Sequence, residues 1–207
     1  MKTHIYIVRH GQTEWNVKHR MQGHQDSPLT DLGVEQAKWL GEALQNEPID
    51  VIYASSSPRA SRTAELIRAD REIDIFETDD FKEINLGAWE GMTQDEIEVV
   101  YPDQMEYFWK DPGRFGVSGS ETYQEVFNRA HKKLTEIVRE HEGKTILIAT
   151  HTVVVKLLMG YFEGRTLQKL WDLPYIHPAC LCKVSYEGDS WEIQLHGDIS
   201  HYKNTVQ

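Results

Sequence analysis

The sequence predicts an α/β fold, a three-layer α/β/α sandwich with a mostly parallel central sheet. Two observations carry that prediction. Short apolar runs rich in β-branched and aromatic residues alternate along the chain with longer stretches of helical period, which argues for a largely parallel sheet covered on both faces. No internal repeat, low-complexity tract or interdomain linker interrupts the pattern, so the 207 residues read as one domain, 1–207.

The elements follow in order. Ile5 to Val8 is the first strand and runs directly into Arg9, His10 and Gly11. Thr30 to Asn46 is a helix with Thr30 as its cap and apolar residues at Leu32, Ala37, Leu40 and Leu44. Val51 to Ala54 is the second strand. Pro58 to Ala69 is the second helix: Pro58 suits a first turn, and Ala60, Ala64 and Ile67 recur on one face. Ile73 to Phe76 is the third strand.

A cap-like, aromatic-rich insertion follows at about residues 93–119, containing YPDQMEYFWKDPGRF. It reads equally as a cover over a pocket and as a short helix packing Tyr107, Phe108 and Trp109 onto the body, and the two readings are compatible. Glu121 to Glu140 is the third helix, Thr145 to Ala149 the fourth strand and Val153 to Tyr161 the fourth helix. Leu181 to Tyr186 and Trp191 to Leu195 complete the strands.

Composition excludes several functions. The formal net charge of −11 opposes nucleic acid and anionic lipid at long range, so an anionic ligand has to be held by clustered cations. No run approaches the length of a membrane helix, and the start MKTHIYIV lacks the regions of a secretory signal, which predicts a cytoplasmic protein. Cys180 and Cys182 are two apart on a strand, so both point to one face and read as buried thiols. The pattern leaves monomer and homodimer open.

Ligands of open α/β sheets bind beyond the carboxyl ends of the strands. The first strand delivers Arg9 and His10, the second leads through SSPRAS to Arg59, and the fourth delivers Thr150 and His151. Two histidines could hold a metal, but a metal wants anionic neighbours, and here the neighbours are arginines, whose planar forks suit phosphate. A phosphate therefore fits the sign of the cluster. Gly11 permits close backbone approach to such a ligand, and the Asn16 amide lies a turn further on.

At these residues the chain resembles the histidine phosphatase superfamily, the phosphoglycerate mutase-like proteins, over nearly its whole length. VRHGQTEWN is similar to the family's nucleophile motif and MQGHQDSPLTDLGVEQA follows it at the usual interval. SSPRASRTAELI is similar to the second arginine motif, FKEINLGAWEG to the acid-bearing segment and IATHTVVVK to the second histidine motif. The resemblance implies His10 as nucleophile, Arg9, Arg59 and His151 on the phosphoryl oxygens, and Glu83 as proton donor. Asn16 and Gln22 match phosphate-contact positions. Thr152 stands where glycine is common, which touches local backbone geometry and substrate contacts.

The implied chemistry needs no metal and no other cofactor. Arg9, Arg59 and a protonated His151 stabilise the transferring phosphoryl group, while surrounding cations keep His10 neutral for attack. Glu83 protonates the leaving alkoxide, which requires a raised pKa; burial would raise it and the cations would lower it. The expected partner is a small phosphorylated metabolite, with Trp109 shaping the leaving-group pocket. EINLGAWEG points to the phosphatase branch rather than to a mutase. A non-catalytic phospho-ligand sensor and a metal hydrolase are the readings from other classes.

Overall fold

A computed structural model describes residues 1–203. Its strands are β1 (Thr3–Arg9), β2 (Val51–Ser55), β3 (Ile75–Thr78), β4 (Thr145–Thr150), β5 (Leu181–Glu187) and β6 (Ser190–Asp198). They form one six-stranded sheet in the order β3-β2-β4-β1-β5-β6. The first four strands of that order run parallel, whereas β5 pairs antiparallel with β1 and β6 antiparallel with β5. The mostly parallel sheet read from the sequence is therefore present.

Successive residues of the central strands alternate between two separate cores, as the pleat demands. Ile5, Ile7, Tyr53, Ile146 and Ile148 enter one core; Tyr6, Val8, Ile52, Leu147 and Ala149 enter the other. After the short helix α1 (Glu14–Val17), the helices α2 (Asp31–Ala43) and α3 (Pro58–Arg68) cover the second face with Leu40, Ala64 and Ile67, joined by Leu44 at the C-cap of α2. On the first face lie α6 (Tyr123–Glu140) and α7 (Thr152–Phe162), through Val126, Ala130, Leu134, Val154 and Leu158. This is the three-layer α/β/α sandwich, and its deeply buried central strands leave the strand ends as the place for polar chemistry.

Local sequence explains the boundaries. The Thr30 hydroxyl accepts from the Gly33 amide at 3.0 Å and starts α2. Thr122 and Glu125 form a reciprocal capping box, so α6 begins at Tyr123, two residues later than predicted. Leu32 is 38% exposed and stands outside the core assigned to it, because the stripe of α2 starts at Gly33, whose backbone packs on β1's following loop. The third strand is displaced by two residues, to Ile75–Thr78: the Ile73 amide donates to the Arg71 carbonyl at 2.9 Å, which keeps Ile73 in the preceding turn.

The aromatic insertion folds as α4 (Gln94–Val100), α5 (Pro102–Lys110) and a 3-10 turn at Pro112–Arg114. Phe108 and Phe115 are buried against Trp89, with ring centroids 5.7 and 5.0 Å away, while Trp109 stays 37% exposed and packs on Trp171 at 4.5 Å. Both thiols are free and buried as read from the sequence, but only Cys182 lies on β5, with Cys180 in the turn just before it. Among the described residues no helix is long and apolar enough to cross a membrane.

Candidate active site

The carboxyl ends of β1, β2 and β4 open into one cleft of about 500 Å³, lined among others by Arg9, His10, Arg59, Glu83 and Thr152. Arg9 is the last residue of β1 and His10 follows it. The His10 backbone is held from both sides: its amide donates to the Thr150 carbonyl at 2.9 Å and its carbonyl accepts from the Ala179 amide at 3.1 Å. Because β1 and β4 are neighbours in register, the imidazoles of His10 and His151 lie edge to face, 5.2 Å between centroids.

The His10 ring is oriented by a 2.8 Å hydrogen bond between Nδ1 and the Gly11 carbonyl oxygen. A carbonyl only accepts, so Nδ1 carries the proton and Nε2 keeps its lone pair. Burial, together with the charges of Arg59 and Arg9, pushes the His10 pKa well below its ordinary value. The shift favours the unprotonated ring, beside two cations.

Arg59 is placed by Pro58, the first residue of α3, and is 2% exposed. Its Nη1 donates to the Gln25 carbonyl at 2.9 Å and to Asp26 Oδ1 at 2.8 Å, and its Nη2 donates to the Gly23 carbonyl at 2.8 Å. Arg9 Nη1 donates to the Ile176 carbonyl at 2.7 Å. Arg9 Nε, Arg59 Nε and His151 Nδ1 are buried with no protein partner, an arrangement an oxyanion would satisfy.

His151 is the N-cap residue of α7, and its Nε2 lies 2.7 Å from the Ser55 hydroxyl. Burial and then the Arg59 charge push its pKa well below the ordinary value. The protonated form expected from sequence is thus disfavoured in the free site, by desolvation and by the charges of Arg59, Arg129 and Arg9. The bond to Ser55 leaves Nδ1 as the ring nitrogen without a protein partner, and Nδ1 is a donor in the tautomer in which the Ser55 hydroxyl donates to Nε2.

Glu83 sits in an irregular segment after β3. Its Oε1 accepts from the Ile84 amide at 3.0 Å, and both oxygens accept from the Val153 amide at 3.2 Å, at the start of α7. Burial raises the pKa more than these bonds and the arginines lower it, so the net direction is upward. The balance that sequence left open thus resolves upward.

The remaining assigned positions take varied places. Asn16 lines the cleft, and its Oδ1 accepts from the Thr13 amide in a capping box, which leaves the amide NH₂ for other contacts. Gln22 also lines it, donating from Nε2 to Thr13 Oγ1 at 2.8 Å and accepting from Ser27 at Oε1. Gly11 is closed in by protein instead: a Cβ there would lie 2.4 Å from the Gly33 carbonyl oxygen. The close approach this glycine permits is between two backbones. Thr152 opens α7 with ordinary helical backbone and faces the cleft, so no left-handed conformation calls for glycine there.

Sequence reasoning left out part of the lining. Lys156, 4% exposed, donates from Nζ to the Pro174 carbonyl at 2.8 Å and to the Asp172 carbonyl, and its pKa is lowered by burial. Trp171, Leu173, Tyr175 and His177 complete that wall from the loop between α7 and β5. Lys156 lies one helical turn after Thr152, a spacing that could have pointed to it. Among the described residues no group of three or more His, Cys, Asp or Glu side chains is arranged to hold a metal ion.

Comparison with known proteins agrees with this geometry. The chain is 32% identical over 167 residues to phosphoserine phosphatase 1 of Hydrogenobacter thermophilus, covering 81% of this chain and 79% of that protein. It is 30% identical over 205 residues to PhoE of Bacillus subtilis, named as an uncharacterized phosphatase, covering 99% and 100%. The solved structure of Bacillus stearothermophilus YhfR superposes with a TM-score of 0.94 at 41% identity, over 96% of this chain and 98% of that one. The sequence pattern of the histidine phosphatase superfamily (branch 1) matches residues 5–199, and the chain belongs to that family.

Proposed function

We propose that this protein is a phosphatase that hydrolyses phosphate monoesters of small metabolites through a phosphohistidine on His10. The observation that carries the reading is the His10 ring, fixed through Nδ1 so that Nε2 is left free, in a cleft with Arg9 and Arg59 and with the His151 ring 5.2 Å away. In the first step Nε2 attacks phosphorus and the bond to the ester oxygen breaks. Arg9, Arg59 and the His151 Nδ1–H take the charge on the equatorial oxygens, and Asn16 and Gln22 add amide donors. Glu83 gives its proton to the departing alkoxide. In the second step Glu83 accepts a proton from water as that water attacks phosphorus, the P–N bond breaks and orthophosphate leaves.

The cleft size fits a small ester, and its far wall of Phe108, Trp109, Trp171 and Leu173 offers apolar surface to the leaving group. Trp109 brings the insertion into that wall, which supports reading about 93–119 as a cap within a single domain. Relatives named as phosphatases support hydrolysis as the reaction. Two buried free thiols fit a reducing compartment and support the cytoplasm as its location.

The test is release of inorganic phosphate from a panel including p-nitrophenyl phosphate and 3-phosphoglycerate, with EDTA present and His10→Ala as control. Isomerised product is followed in parallel. EDTA-resistant release that vanishes in His10→Ala supports the proposal. Isomerised phosphoglycerate without release would replace it with a mutase, and neither product from any ester would replace it with a phospho-ligand sensor.

A further inference from the structure

The segment that carries Glu83 belongs to no strand or α-helix, yet four successive carbonyls in it are tied down. Arg129, from the middle of α6, donates through Nη1 to the Asp80 carbonyl at 2.8 Å and the Lys82 carbonyl at 2.7 Å. Its Nη2 donates to the Glu83 carbonyl at 3.0 Å, which also accepts from His24 Nε2 at 3.0 Å. The carbonyl between them, Phe81, accepts from the Thr150 hydroxyl at 2.7 Å. Thr150 in turn is the residue before His151.

Arg129 is itself held in a planar fork. Its Nε donates to Glu121 Oε1 at 2.8 Å and its Nη2 to Glu121 Oε2 at 2.9 Å. The same Oε2 accepts from the Asn85 amide at 2.8 Å, and the Glu121 amide donates to the Asn85 carbonyl at 2.9 Å. Burial alone would raise the Glu121 pKa, but the bonds from Arg129 and Asn85 outweigh it and hold it low. The pair therefore grips both sides of Glu83, at residues 80 to 83 and again at 85. Neither Arg129 nor Glu121 lines the cleft.

We infer that Arg129 and Glu121 are positioning residues for the proton transfer: they fix the backbone that aims the Glu83 carboxyl, without touching the substrate. The inference rests on the reading of Glu83 as proton donor. A guanidinium is suited to the task because one rigid group reaches three carbonyls and a carboxylate at once. Lysine keeps the charge and loses the fork. An acid whose carboxyl drifts by an ångström fails to deliver its proton, while the nucleophile and the phosphate cluster, built on β1, β4 and α3, stay in place.

The experiment compares an alkyl phosphate, whose leaving group needs a proton, with p-nitrophenyl phosphate, whose leaving group does not. Wild type, Arg129→Lys, Glu121→Gln, Glu83→Gln and the double variant Arg129→Lys with Glu83→Gln are measured on both, with melting temperatures alongside. Arg129→Lys is expected to lose about a hundredfold in kcat/KM, which reports the first transfer alone, on the alkyl ester, on the scale of a misplaced group, and less than about threefold on the nitrophenyl ester. Glu121→Gln is expected to show the same selectivity at about tenfold, and it keeps the test alive if Arg129→Lys does not fold. The double variant is expected to be no worse on the alkyl ester than Glu83→Gln, because there is no longer an acid to aim.

Selective losses with that non-additivity support the inference. Equal losses on both esters, or no loss on either, overturn it while leaving the acid in place, provided Glu83→Gln still discriminates between them. Failure of Glu83→Gln to discriminate overturns the acid and this inference together.

Discussion

The amide of Val153 donates to both carboxyl oxygens of Glu83, at 3.2 Å each. Glu83 thus rests on the first turn of the helix that His151 caps, so the proposed proton donor and a proposed phosphate contact share one support. A helix start favours the ionised form, yet burial still carries the pKa upward from its ordinary 4.5. Glu83→Gln should lower kcat/KM for alkyl phosphates by about a hundredfold or more while costing p-nitrophenyl phosphate far less, because only the first transfer enters that ratio. Equal losses in kcat/KM on the two esters would make Glu83 a structural residue.

The pH profile follows from the same two groups. Glu83 must be protonated in the first step, so alkyl ester turnover falls as pH rises through its raised pKa, and the alkaline limb lies above 4.5. His10 must be unprotonated, so turnover falls on the acid side only as pH drops through its lowered pKa, below 6.5. Glu83→Gln is expected to erase the alkaline limb and leave the acid limb where it was. A profile of kcat/KM against pH for both proteins checks this.

Stability carries a second pH signature. The folded His151 pKa lies below 6.5, so as pH falls through 6.5 the unfolded chain takes up the proton first and folding loses free energy. The contribution is complete above 6.5 and declines below it, by up to about 1.4 kcal/mol per pH unit, until the folded pKa is reached. Glu83 acts in the opposite sense between 4.5 and its raised pKa, because there the folded form holds the proton. Melting temperatures between about pH 8 and about pH 5.5 should fall less steeply in His151→Asn than in wild type.

Gly11→Ala should destabilise the fold and slow turnover together. The added methyl lands 2.4 Å from the Gly33 carbonyl oxygen, so β1's loop or α2 has to move, and the Gly11 carbonyl that orients His10 moves with it. A cost of about 1–3 kcal/mol is expected from such overpacking, measured by urea denaturation. An unchanged midpoint would show that the loop yields freely.

Trp109→Ala removes a ring that packs on Trp171 at 4.5 Å and also lines the cleft. Partly exposed, it is expected to cost about 1 kcal/mol in stability. KM should rise for esters with large apolar leaving groups and stay level for the smallest ones. A stability loss with no change in the ranking of substrates would reduce Trp109 to packing.

The sheet and the phosphate cluster were readable because their signals are local. VIYAS and TILIA are compact apolar runs, and Arg9, His10, Arg59 and His151 lie within a few residues of strand ends, where chain geometry itself gathers them. Register at an edge is weaker information: β3 has no fully buried residue, so nothing in ITS pattern of four separated Ile73 from Ile75. Lys156 and Arg129 were hidden for another reason. Each acts on carbonyls 16 to 49 residues away in sequence, and a carbonyl leaves no trace in residue type. The charge state of His151 required the burial of its neighbours, which spacing does not encode.

The bond from His10 Nδ1 to the Gly11 carbonyl also decides an isomer. With Nδ1 occupied by its proton, the phosphoryl group can join only Nε2, the nitrogen remote from the backbone. On the proposed mechanism the covalent species is therefore tele-phosphohistidine. An antibody raised against that isomer should recognise the denatured, acid-protected reaction intermediate, and one raised against the pros isomer should pass it by.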